Sequence, residues 1–288
     1  AHLADHPIIP ITIPFEGTTL PGYLCLADGS GAKRPLLIVH SGFDGTAEEL
    51  YFSTAHFAVM RGYNVLIFEG PGQGGVIRTQ GIPFRHNWET VVSPVIDFAI
   101  THKEVDAKRI ALMGISFGGY LAPRAAAFEK RISALIANGG VYDFHMTSRL
   151  KPEDEKYLDT KEGAAEIDRI LLERMKTDPS LRWVMGNAMF TFNAPSPSEW
   201  MKMTRAYTMK DIAAKISCPV LIVDSEEDKD MPGQARMLYE ALKTQKNFLL
   251  FTKDEAAEEH CQMGAVLISN ARILDWLDTI MKKDVNMK

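Results

Sequence analysis

Gly114-Ile115-Ser116-Phe117-Gly118-Gly119 is the stretch on which the reading of this chain turns. Arg109-Ile110-Ala111-Leu112-Met113 before it is an apolar run that reads as a buried strand, and residues 120–127 after it read as the start of a helix. A serine in Gly-x-Ser-x-Gly between a strand and a helix sits in a turn so tight that the flanking positions must be small. The turn lifts the hydroxyl clear of the sheet and aims the Phe117 N–H at the same point in space. Ser116 is therefore the candidate nucleophile, and such a serine needs partners from elsewhere in the chain.

Outward from this stretch, strands and helices alternate. Residues 8–15 and 19–26 alternate apolar and polar, as an edge hairpin turning near Glu16-Gly17 should. Residues 35–40 and 64–69 are continuous apolar runs, which suits strands covered on both faces. Helices are expected over 48–61 and 88–102, the second with Val92, Val95, Ile96 and Ala99 as an inward stripe and Pro94 inside it. A strand is expected over 134–139. The pattern predicts an α/β fold, a mostly parallel sheet with helices on both faces. Gly70-Pro71-Gly72-Gln73-Gly74-Gly75 is glycine-rich, but no helix opens on it directly, and it is not read as a dinucleotide site.

The alternation stops near Val141 and resumes with a strand at 218–224. Residues 142–215 have helical character, with Ile167, Ile170, Leu171 and Met175 on one stripe and further helices over 182–192 and 198–207. This segment is read as a helical cap inserted into a core made of residues 1–141 and 216–288. It holds seven of the fourteen methionines, together with Trp183, Phe190, Phe192 and Trp200. Methionine fills irregular apolar surfaces, so most of these residues are assigned to the cap's own core and a few to a pocket above Ser116. A helix at 233–242, a last strand at 247–252 and a closing helix at 266–281 complete the expected order.

Composition narrows the function classes. The 288 residues are 46% apolar, enough to bury a full core, and the net charge of −5 carries no basic stripe of the kind nucleic acid requires. No run is long and apolar enough to span a membrane, and the opening residues, His2 among them, lack the basic and apolar regions of a leader. Cys25, Cys218 and Cys261 are too widely spaced for a disulfide framework or a zinc site, which points to a reducing, cytoplasmic setting. Cys25 and Cys218 are expected in strands as small core residues.

A serine hydroxyl needs a base to take its proton, usually a histidine held in one tautomer by a carboxylate. In this type of sheet the chain order is Ser, acid, His. The acid belongs just beyond the strand after the insertion, where Asp228 is favoured over Asp224 and Asp230. His260 is the only histidine after the last strand. His2, His6, His56, His86 and His102 fall where surface or packing roles suffice, and His145 is a candidate to enter the pocket. The tetrahedral intermediate of acyl transfer needs two N–H groups on its oxyanion. One is that of Phe117. The other comes from the loop after residues 35–40, with Phe43 favoured and Gly42 as the alternative, while His40 braces the loop. Glu48 and Glu49 open the next helix, and one of them, with Trp183 and Phe190, is a candidate for the pocket. No metal or cofactor is called for.

Together these residues resemble the α/β-hydrolase superfamily over nearly the whole chain. Residues 42–49, residues 68–74, Gly114-Ile115-Ser116-Phe117-Gly118-Gly119 and His260-Cys261 carry a closer likeness to the group of 2,6-dihydroxypseudooxynicotine hydrolase and the fungal hydrolases that shorten polyketides, with FrsA-like esterases more distant. The resemblance implies a homodimer, a helical cap, and an extra helical segment before the first strand. Ala1 in place of a starting methionine fits a longer parent chain. It also implies cleavage of a carbon–carbon bond beside a ketone, with the nucleophile, acid and base roles on Ser116, Asp228 and His260. The expectation is a serine hydrolase acting on a small apolar or aromatic ester- or ketone-containing molecule. The competing readings are a peptidase of short acyl-peptides and a non-catalytic receptor that keeps the fold.

Overall fold

The computed structural model describes residues 4–148, 150–151 and 153–281. His2 lies outside them. β1 (Ile8–Phe15) and β2 (Thr18–Cys25) pair antiparallel, with Phe15 opposite Thr18. Glu16 (φ 42°) and Gly17 (φ 79°) make the turn, both in the left-handed region that a two-residue hairpin loop demands. Ile11, Ile13 and Phe15 point inward and their neighbours outward, so the alternation in sequence becomes one buried face.

The remaining strands are β3 (Arg34–His40), β4 (Asn64–Phe68), β5 (Val105–Ile115), β6 (Ile132–Asn138), β7 (Val220–Ser225) and β8 (Lys246–Phe251). They join one sheet of order β1-β2-β4-β3-β5-β6-β7-β8, in which β2 meets β4 antiparallel and every later pair is parallel. β4 is buried at every position and β3 at all but its first, which is why these runs show no alternation. Cys218, expected in a strand, lies just before β7 and is buried there nonetheless.

Two layers of helices cover the sheet. One face carries α1 (Ala47–Leu50), a π turn over Tyr51–Ala55, α2 (His56–Met60) and, far along the chain, a closing helix that packs beside them. A single regular helix was expected over 48–61. The wider turn at its centre brings the Ser53 carbonyl to Asn270 Nδ2 at 2.7 Å, a tertiary bond that no local pattern announces. The other face carries α3 (Glu89–Ala99) and α4 (Gly118–Phe128). Val92, Val95, Ile96 and Ala99 are all buried there, each larger side chain contributing about 1.5–3 kcal/mol.

Between β6 and β7 come α5 (Glu155–Leu158), α6 (Lys161–Arg174), α7 (Pro179–Phe192) and α8 (Pro197–Thr204). Their boundaries are written in the sequence. The side chains of Thr160, Asp178 and Ser196 accept from backbone N–H groups three residues on, and Pro179 and Pro197 open the helices that follow the last two. Asn193 (φ 53°) ends α7 in the left-handed conformation. Asp168 ties α6 to α8 by accepting from the N–H and hydroxyl of Ser198. On the α6 stripe Ile170 faces solvent, whereas Ile167, Leu171 and Met175 pack against the core. After β7 come α9 (Gln234–Ala241), β8 and the closing helix α10 (Val266–Met281). Among the described residues no helix is long and apolar enough to cross a membrane.

Candidate active site

Ser116 joins β5 to α4 with φ 62°, a strained value for a non-glycine residue. Its N–H is held by the Asn138 carbonyl at 2.8 Å. A Cβ on Gly114 would lie 2.0 Å from the Gly118 carbonyl oxygen, so the turn closes only because residue 114 has none. The turn also places Ser116 at the N-terminal, partially positive end of α4.

Asp228 stands in the loop after β7. Its Oδ1 accepts from the N–H groups of Asp230 (2.9 Å) and Met231 (3.0 Å), which leaves Oδ2 facing His260 Nδ1 at 2.7 Å. His260 Nε2 in turn lies 2.9 Å from Ser116 Oγ. Three side chains from three loops thus form one hydrogen-bonded line. Asp224 does not join it: its Oδ1 accepts from the next backbone N–H, and burial raises its pKa. Asp230 lines the neighbouring cavity and is exposed.

The His260 loop is held on both sides. Glu227 N–H donates to the Glu258 carbonyl at 2.9 Å, and buried Gln262 donates to Ser225 Oγ at 3.0 Å. Cys261 and Gln262 both have φ near +54°, 53° and 55° respectively, which turns the chain sharply under the imidazole. Burial disfavours the imidazolium. The hydrogen bond to Asp228, with Cys261 Sγ 3.4 Å from Nε2, outweighs that and lifts the His260 pKa above its ordinary value. Burial works against the Asp228 carboxylate too, but His260 and the two backbone donors hold its pKa below the usual range.

The loop after β3 lies directly on the elbow. A Cβ on Gly42 would stand 2.5 Å from Phe117 N and 2.8 Å from the Ile115 carbonyl oxygen. Among the described residues, neither the Phe43 N–H nor the Phe117 N–H has an acceptor. His40 is wholly buried against Phe68 and Trp88, donates from Nδ1 to the Ser41 carbonyl at 3.0 Å, and has its pKa pushed down to about 4 by burial. It braces the loop.

The glycine-rich run 70–75 has a role that sequence reading missed. Gln73, buried, donates from Nε2 to the carbonyls of Ser41 (2.6 Å) and Gly42 (3.3 Å) and accepts from Gly70 N–H at 2.9 Å. Buried Glu69 accepts from Ala47 N–H and Gly75 N–H, joining the same loop to the start of α1. Nothing in the spacing of Gln73 distinguishes it from a surface glutamine. Gln73→Ala should lower kcat by about 10–100-fold with little change in KM, since the loop after β3 loosens while the pocket stays; steady-state kinetics on an aryl ester would check this.

A cavity of about 660 Å³ opens on Ser116 and His260, within the usual size range of small-molecule sites. Gly42, Phe43 and Trp183 line it, and the Trp183 ring meets Phe43 edge-on with centroids 6.2 Å apart. Asn187 Nδ2 of α7 donates to the Phe43 carbonyl at 3.1 Å, so an inserted helix helps to set this loop. The Phe117 ring is locked among Phe84, Phe144 and Tyr207 at centroid distances of 5.3, 4.1 and 5.6 Å, an aromatic cluster that pins the elbow to the insertion.

Three candidates lie elsewhere. Glu48 accepts from the Tyr23 hydroxyl at 2.7 Å, away from the cavity, and its neighbour Glu49 reaches the lining instead, because adjacent helix residues point in different directions. His145 is held between Thr204 Oγ1 (2.8 Å) and Glu155 Oε1 (2.6 Å) and braces the insertion. Phe190 is 49% exposed and outside the lining.

Among the described residues, one acidic and histidine cluster has ligand atoms close enough for a metal ion: Asp228, Asp230 and His260, within 4.8 Å of one another. Both Asp228 oxygens and His260 Nδ1 already bond to partners here. A cation would have to break the line to Ser116, so the donor set does not fit one.

A sheet of this order, with a strand–serine–helix turn facing an acid and a histidine from later loops, defines a class. The chain matches the alpha/beta hydrolase family over residues 36–272 and belongs to it. Hydrolase acrC of Aspergillus aculeatus is 30% identical over 297 residues, which cover 94% of this chain and 69% of that protein. The 20-hydroxy-prefusarin hydrolase FUS2 of Gibberella moniliformis is 29% identical, over 98% of this chain and 72% of its own. The alpha/beta hydrolase ucsC of an Acremonium species is 32% identical over 80% of this chain, which spans 54% of that relative's length. The crystal structure of 2,6-dihydroxy-pseudo-oxynicotine hydrolase shares the fold, with TM-score 0.78 at 21% identity, over 98% of this chain and 70% of its own. With relatives named as hydrolases, this is a hydrolytic enzyme family.

Proposed function

We propose that this chain is a serine hydrolase of an apolar, ester- or ketone-containing small molecule, with Ser116 as nucleophile, His260 as base and Asp228 orienting it. The observation that carries the reading is the line Asp228–His260–Ser116, 2.7 and 2.9 Å, ending on a serine held at φ 62°. Asp228 fixes the proton on Nδ1, so Nε2 is free to accept from the hydroxyl. Ser116 Oγ bonds to the carbonyl carbon as its proton passes to Nε2, and the carbonyl oxygen becomes an oxyanion facing the Phe43 and Phe117 N–H groups. The intermediate collapses, the bond to the leaving group breaks, and His260 returns the proton to it. Water, deprotonated by the same imidazole, then releases the acyl group and restores Ser116.

The leaving group decides whether the bond cut is ester or carbon–carbon. An alkoxide takes the His260 proton on oxygen. From a β-dicarbonyl the carbon–carbon bond breaks, and the fragment with the second carbonyl leaves as an enolate and takes the proton on carbon or oxygen. A relative named for hydrolysis of 20-hydroxy-prefusarin supports a small-molecule substrate. Residues 142–215 act in this reading as the cap that closes over the substrate. Labelling with a fluorophosphonate tests it: the wild-type chain should be modified at Ser116, and Ser116→Ala should not be modified. Equal labelling of both would remove Ser116 from the role.

A further inference from the structure

The cavity continues past Ser116, away from the inserted helices. Its wall runs over Ile115 and Met113 of β5 into the opposite helix layer, between Leu50 and Thr54 on one side and Ser269 and Ile273 of α10 on the other. Met113, Thr54 and Ile273 are buried, Ser53 and Val266 are half-buried, and Met263 is 66% exposed. The arm therefore leads from the serine into the core between the sheet and these helices. Phe52 and Leu267, next in sequence to the lining residues Ser53 and Val266, are 74% and 73% exposed.

The two arms differ in chemistry. Under the insertion, Arg174 and Asp178 stand with the rings of Phe144, Trp183 and Trp200. In the second arm the walls are mostly aliphatic or small, with no charged side chain among Leu50, Thr54, Met113, Ile115, Ser269 and Ile273, and two of the polar groups there are engaged. Ser269 Oγ donates to the Val266 carbonyl at 3.2 Å. Asn270 Nδ2 donates to the carbonyls of Ser53 (2.7 Å) and Val266 (2.8 Å). Leu50, Met113, Ile115 and Ile273 give the space a wall of hydrocarbon, which rewards burial of apolar surface.

We propose that this arm is a binding subsite for an alkyl chain on the carbonyl compound, so that the substrate carries an aliphatic tail on one side of the reacting carbonyl and a polar, ring-bearing portion on the other. The hydrolase reading enters only in placing that carbonyl at Ser116; tail binding itself needs no turnover. The test uses Ser116→Ala and calorimetric titration with linear methyl ketones of five to nine carbons. Affinity should rise about fourfold per added methylene, the gain for burying each one. Ser269→Phe, set in the wall of the arm, should flatten that rise. Ser53→Phe, nearer the surface and tolerant of bulk, should do the same and covers the case in which Ser269→Phe fails to fold. Thr147→Phe, which lies under the insertion, should leave the rise in place. Affinity that is flat with chain length, or a rise that Thr147→Phe abolishes and the other two leave intact, would overturn the proposal. A loss of fluorophosphonate labelling specificity would sink the nucleophile assignment and leave this measurement standing.

Discussion

Asp228→Asn should lower kcat by about 10⁴-fold while the chain still folds. The geometry gives the reason. Asp228 Oδ1 is fixed by the N–H groups of Asp230 and Met231, so the asparagine oxygen takes that place and its NH₂ turns to His260. An NH₂ there can only donate to Nδ1. The imidazole proton is then forced onto Nε2, and Nε2 can no longer accept from Ser116. The pH profile carries a second signature. In the wild-type chain the His260 pKa is raised, and activity requires the neutral ring, so kcat/KM should fall as pH drops through a value above the ordinary histidine pKa of 6.5. With the carboxylate gone, burial dominates and the His260 pKa drops, so the acid limb of the residual activity moves to lower pH. An acid limb that stays in place, or a kcat reduced by less than tenfold, would count against Asp228 as the partner. Unchanged circular dichroism would show that the loss is not unfolding.

Gly42→Ala is expected to cost about 10²–10³ in kcat, the effect of losing one oxyanion donor. A methyl group at this position meets backbone on three sides: Phe117 N at 2.5 Å, the Ile115 oxygen at 2.8 Å and Gly118 N at 2.9 Å. None of these atoms can swing aside, so the loop itself must lift from the elbow and carry the Phe43 N–H with it. KM should change less than kcat, since the donors matter most when charge develops on the oxygen. Gly29→Ala is the control, because a methyl group there meets nothing within 4 Å. Rates of fluorophosphonate labelling for the two variants would separate a displaced loop from a general loss of stability. Equal rates in Gly42→Ala and wild type would mean that this loop does not supply the donor.

Much of the arrangement was legible beforehand, and the reasons are local. Residues 35–40 and 64–68 have no polar alternation, and only a strand buried on both faces tolerates that. Gly114 and Ser116 announce their turn because few residues fit it. The order of serine, acidic loop and His260 along the chain followed from the order of the strands. Beyond this, local pattern fell silent. Asp224, Asp228 and Asp230 differ little as residues in an acidic loop; what distinguishes them is which carboxylate has one oxygen pinned by two backbone N–H groups and the other left to face an imidazole. Glu48 and Glu49 are equivalent in sequence, and only the direction of the first helix sends one to Tyr23 and the other to the cavity.

The amino-acid sequence by itself determined the layered α/β class, the turn that carries Ser116 and the succession of loops that meet it, because these follow from short-range sterics and from the period of burial. Tertiary structure alone decided the bracing of the loop after β3 by Gln73 and Glu69, the engagement of His145 with Thr204 and Glu155, and the second arm of the cavity between α1 and α10. Each of these depends on residues from distant segments arriving at one place, and a contact between distant segments leaves no period in the chain to be read.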